Sequence, residues 1–109
     1  MTFTEYKEKS IHTKIYPQGE LAIPYVVLGL MGEAGEVAEK VKKVLRDNKG
    51  NFTEEIKQSL GKEMGDVLWY LACLCDELGL NFDDVAQDNI DKLAKRAQEG
   101  KLSGSGDNR

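Results

Sequence analysis

Three long stretches of this chain each place their apolar residues in a single stripe at helical spacing, and that pattern constrains the fold more than any other feature. On a wheel of about 100° per residue, Val26, Leu30, Val37, Val41 and Val44 fall in one narrow sector. Ile56, Leu60, Val67, Leu71, Leu74 and Leu78 do the same in a second stretch, and Phe82, Ala86, Ile90, Leu93 and Ala97 in a third. Period-two alternation is lacking and only 2 prolines occur, so no sheet is expected. The chain should be all-α, each helix burying one stripe.

Capping residues set the boundaries. Thr2 and Glu5 form an S/T-x-x-E capping box that starts a first helix running to about Ile15. Tyr16-Pro17-Gln18-Gly19 reads as a turn. A second helix spans Leu21 to Arg46 and stops at Asp47-Asn48-Lys49-Gly50-Asn51. Thr53 caps a third, Glu54 to Leu78, with Gly79 as its left-handed stop. Asn81 caps a fourth, Phe82 to Gln98, ended by Gly100. Four helices with short connections predict an antiparallel four-helix bundle. Residues 1–100 form the single domain, and the Gly/Ser-rich tail 101–109 is expected to be mobile.

A length of 109 residues suits one domain. With 15 Lys+Arg against 19 Asp+Glu, a net charge of −4 and a pI near 5.0, a basic grip on a nucleic-acid polymer is excluded. The longest mostly apolar stretch, Leu21–Met31, has 11 residues and contains Pro24, short of the roughly 20 that a membrane span needs. The N-terminus lacks a basic-then-apolar secretory signal, so no membrane partner is expected. Cys73 and Cys75 would point about 200° apart on a helix, so they cannot bridge each other, and free buried thiols suit a cytoplasmic protein.

The chemistry lies in an internal echo. Glu33-Ala34-Gly35-Glu36-Val37 and Glu63-Met64-Gly65-Asp66-Val67 both read Glu-x-Gly-acid-Val. On both wheels the two acids border the apolar stripe, at about 0° and 300° against about 20–80° for the stripe. Antiparallel packing of the stripes would gather four carboxylates at one edge of the bundle. Such a cluster repels itself unless a cation sits within it, and an all-oxygen acidic site favours Mg²⁺ or Mn²⁺. The bland reading is a pair of solvated faces. A di-iron bundle would want Glu-x-x-His pairs, and the one histidine, His12, lies on another helix. On the fourth helix Asn89, Lys92 and Arg96 hold the same position beside the stripe, where cations also suit a helix C-terminus. Acids for a metal, with cations and an amide for phosphate oxygens, are what a metal-chelated polyphosphate requires.

Gly32 to Lys40, followed by Lys62-Glu63-Met64-Gly65-Asp66-Val67-Leu68-Trp69-Tyr70 and by Asn89-Ile90-Asp91-Lys92-Leu93-Ala94-Lys95-Arg96, resembles the MazG-like nucleoside triphosphate pyrophosphohydrolases. Their pattern is ExxE, a linker, ExxD, then Asn-x-x-Lys-x-x-x-Arg. The likeness covers nearly the whole chain, including the closing Gly104-Ser105-Gly106-Asp107-Asn108-Arg109. It implies an all-α, Mg²⁺-dependent hydrolase that splits a nucleoside triphosphate or its deoxy counterpart into monophosphate and pyrophosphate. Carried over by position, Glu33, Glu36, Glu63 and Asp66 would hold the metal, Lys92 and Arg96 the phosphates, and Asn89 sugar or phosphate. It also implies a homodimer or homotetramer with sites completed across subunits.

Beside the resemblance, Glu36 is the first choice for general base and Glu33 the second. Lys40 either pairs with Glu36 at i,i+4 or reaches phosphate, and Lys43 continues the same face. Tyr70, His12 and Tyr16 are candidates for the base, Trp69 for a subunit contact, and Gly35 and Gly65 for close helix approach. Asp107 or Arg109 could bring the tail over the nucleotide. Setting aside Glu33, Glu36, Glu63 and Asp66 leaves 15 acids against 15 bases, so the charge surplus equals the proposed metal site. The competing readings are a non-enzymatic helical interaction module and a hydrolase of the same fold acting on phosphoribosyl-ATP or an alarmone.

Overall fold

A computed structural model describes residues 1–107. Among them are four α-helices and no strand: α1 Phe3–Ser10, α2 Ala22–Asp47, α3 Glu54–Leu78 and α4 Phe82–Gln98. The caps act as the sequence predicts. Thr2 Oγ1 accepts from the Glu5 amide while the Glu5 carboxylate accepts from the Thr2 amide. Thr53 and Asn81 accept from the amides of Ile56 and Asp84, and Gly79 ends α3 at φ 68°.

The first helix is shorter than expected. It tightens after Ser10 into a 3₁₀ turn, Ile11–Thr13. The Ser10 carbonyl is diverted: it accepts from the Thr13 hydroxyl at 2.8 Å and from the Trp69 indole N–H at 3.2 Å. The Lys14 amide therefore closes on Ile11. Trp69 also donates to Thr13 Oγ1 at 2.8 Å and meets Tyr16 and Tyr70 edge-on. Within the chain, the one polar atom of Trp69 is engaged by this turn.

α2 and α3 pack antiparallel along their length, turned by Lys49 at φ 54° and Gly50 at φ 78°. The best-buried core lies at one end of this hairpin. Ala22 and Val26 meet Tyr16 and Cys73 in one cluster, and Ala72, Cys75 and Phe82 form a second beneath Tyr6. The two free, buried cysteines thus serve separate clusters. A network ties the 3₁₀ turn down: Lys14 donates to Glu77 at 2.8 Å and to Asp76 at 3.4 Å, and Tyr16 Oη donates to Glu77 at 2.8 Å. Tyr16 is therefore a core residue, whereas His12 is exposed.

α4 departs from a closed bundle. Its start is held by α1, through Phe3 stacked on Phe82 and the Phe3 amide donating to Asp83, and by α3, where Phe82 joins Ala72 and Cys75. The radius of gyration is 16.8 Å, against about 13 Å for a compact domain of this length. Apolar residues stay open on three helices: Leu28 and Met31 on α2, Met64 and Leu71 on α3, Ile90 and Leu93 on α4. An apolar groove of about 360 Å³ runs between α2 and α3, lined by Ala34, Val37, Met64, Val67, Leu68 and Leu71.

This openness corrects one sequence inference. The helical segment Gly19–Asp47 is long and apolar enough to cross a membrane by length and composition, with a mean hydropathy of 1.4 over its most apolar window. The apolar stretch Leu21–Met31 stops at Gly32-Glu33, whereas the helix continues through that pair. One face of that helix packs on α3, and Glu33 and Glu36 interrupt it midway, as fits a helix of a folded domain.

Candidate metal and phosphate site

The helical echo delivers three of its four acids to one place. Carboxylate oxygens of Glu33 from α2 and of Glu63 and Asp66 from α3 all lie within 4.8 Å of one another. Oxygens sharing one Mg²⁺ at about 2.1 Å stand roughly 3–4 Å apart, so a small closure would suit a hard divalent ion. Glu36 is outside this group among the described residues and is exposed. It lies one turn further along α2, near enough for its charge to act on Glu33.

The cluster is electrostatically strained. Burial raises the Glu33 carboxyl above its ordinary value, and the charges of Asp66, Glu63 and Glu36 push it further. One cation partly offsets this: Lys40 Nζ lies 3.0 Å from Glu63 and also donates to Ser59 Oγ. The expected i,i+4 partner, Glu36, is bypassed because the half-buried Glu63 faces Lys40 across the hairpin. Lys40 also opens onto a cavity of about 400 Å³ lined by Lys43, Val44, Asp47, Asn48, Ile56 and Ser59.

Tyr70 stands above the acids. Burial raises its phenol, with Tyr25 and Glu33 adding to the effect. Its ring lies on Gly29, where a Cβ would overlap it. Gly29, not Gly35 or Gly65, is thus the close approach within the chain; a Cβ at either of those two meets nothing within 4 Å. A register argument could have found it. Gly29 is one turn before Glu33 and Tyr70 one turn after Asp66, so antiparallel pairing brings them level.

Two cations of α4 are engaged by the tail. Lys92 Nζ lies 2.9 Å and Arg96 Nη2 3.2 Å from the same Asp107 oxygen. Those two cations, Lys92 first, hold the Asp107 carboxyl below its usual range. Arg96 is buried, whereas Asn89 is exposed. The expected mobile tail is therefore folded back on α4; Arg109 lies outside the described residues.

The described residues thus carry an acid triad on a helix pair, flanked by a lysine, and a Lys/Arg pair on a later helix. The MazG nucleotide pyrophosphohydrolase domain matches residues 24–100, and the chain belongs to that family. It is 45% identical over 109 residues to the Gene 37 protein of Mycobacterium phage L5, covering 95% of this chain and 96% of that protein. It is 39% identical over 79 residues to the uncharacterized protein YvdC of Bacillus subtilis strain 168, covering 67% of this chain and 74% of that one. No solved structure matches it.

Proposed function

We propose that this protein hydrolyses the bond between the α- and β-phosphates of a nucleoside triphosphate or its deoxy counterpart, giving monophosphate and pyrophosphate in the presence of Mg²⁺. The carrying observation is the gathering of Glu33, Glu63 and Asp66 in a chain of the MazG nucleotide pyrophosphohydrolase family. These three would hold the ion, which offsets phosphate charge and acidifies a bound water when present; Mn²⁺ could substitute. Glu36, exposed and outside the triad, is free to be a fourth ligand or to take the proton of the attacking water. Lys40, paired with Glu63 in the structure, would be the lysine beside the triad to reach for a phosphate oxygen. Tyr70 borders the site, and Lys92, Arg96 and Asn89 supply the phosphate and sugar contacts.

The α4 cations Lys92 and Arg96 pair with the tail, and in an assembly they would serve the site of another copy. A homodimer or homotetramer would also cover the apolar groove between α2 and α3 and the open faces of Gly35 and Gly65. Two buried free thiols suit the reducing cytoplasm. Glu36→Gln and Asp66→Asn should each abolish Mg²⁺-dependent pyrophosphate release with helical content intact by circular dichroism. Undiminished turnover in either variant would sink the assignment of that residue.

A further inference from the structure

The tail after α4 is shaped by its glycines. Gly100 at φ 67°, Gly104 at φ 109° and Gly106 at φ 80° all occupy the region that side chains avoid. The Lys101 amide closes on the Arg96 carbonyl at 2.7 Å, and the chain then returns along α4. It ends with Arg96 Nη2 donating to the Asp107 carbonyl at 3.1 Å and to the Gly106 carbonyl at 3.4 Å. One carboxylate oxygen of Asp107 accepts from both Lys92 and Arg96. A single anionic oxygen between an ammonium and a guanidinium is the arrangement those groups would give a phosphate oxygen.

We propose that Asp107 is a built-in occupant of the phosphate seat: its carboxylate holds Lys92 and Arg96 in place of a ligand, and a phosphate or pyrophosphate group binds there by displacing it. The inference rests on Lys92 and Arg96 being the phosphate grip. The latch suits displacement. Asp107 is 78% exposed at its side chain while Arg96 is 7% exposed, so the seat is formed but its occupant sits at the surface, where ion pairs are weak. Keeping the two cations paired and the Arg96 guanidinium covered holds the seat in shape between ligands. The tail thereby sets the apparent affinity, which falls by the fraction of molecules whose seat is open.

The test is calorimetric titration of inorganic pyrophosphate with Mg²⁺ into the full-length protein at about 50 mM salt, where surface pairs are little screened. Asp107→Asn removes the competing charge and should bind pyrophosphate about two- to fivefold more tightly than the parent. Gly106→Ala strains a positive φ, its Cβ meeting nothing within 4 Å among the described residues, and should shift the affinity the same way. Lys92→Gln should weaken binding. Unchanged or weaker binding by Asp107→Asn, with Lys92→Gln weakened, overturns the latch and leaves the grip standing. A neutral Lys92→Gln removes the grip and the latch with it.

Discussion

Glu33 and Glu77 illustrate how the same side chain is used in opposite senses. Glu77 accepts from Lys14 and Tyr16, and those bonds, Lys14's first, hold its carboxyl below the ordinary value. A depressed carboxyl contributes stability that is present above its unfolded value of about 4.3 and is lost as pH falls through the folded value. Glu77→Gln should therefore cost about 1–3 kcal/mol at pH 7, and thermal melts from pH 7 to pH 3 should show that difference shrinking. Glu33 is raised by burial and by its acidic neighbours, so its charge opposes folding and the penalty vanishes as pH falls through its folded value. Metal-free Glu33→Gln should melt above the parent at pH 7, and it should gain less from Mg²⁺ than the parent does. A variant that melts lower and still gains as much from Mg²⁺ would contradict this role for Glu33.

The elements were legible where local chemistry decides them. Thr53, Gly79 and Asn81 fixed α3 and the start of α4 because a cap is a three-residue interaction readable from sequence. The end of α1 was not, since it depends on an indole 59 residues away taking the Ser10 carbonyl. The same limit hid Gly29. Its role needs the register between α2 and α3, while the wheel pointed to Gly35 and Gly65, which stand within the acidic motifs. A pair of substitutions separates these roles. Gly29→Ala should destabilise by about 1–3 kcal/mol through the Tyr70 ring. Gly35→Ala should be neutral or stabilise an isolated protomer by up to about 1 kcal/mol, as read by urea unfolding. A loss at Gly35 that deepens with protein concentration would place a second subunit there.

For the whole molecule, the wheels correctly gathered Glu33, Glu63 and Asp66, because their shared phase and antiparallel order are sequence properties. Placement of α4 was beyond them: nothing in its stripe says whether α3 of the same chain or another copy covers it. Leu28, Met31, Met64, Leu71 and Ile90 are exposed on this chain, and assembly would cover them. Light scattering should give a mass of at least two chains, and Leu71→Glu should shift it toward one. A monodisperse parent of one chain's mass would refute assembly through this face. The central claim concerns the bond that breaks. The most direct measurement is phosphorus NMR of a panel of nucleoside triphosphates incubated with the protein and Mg²⁺. Monophosphate and pyrophosphate should appear in equal amounts for at least one substrate, and not at all with Glu63→Gln. Diphosphate with orthophosphate, or no turnover across the panel, would contradict it.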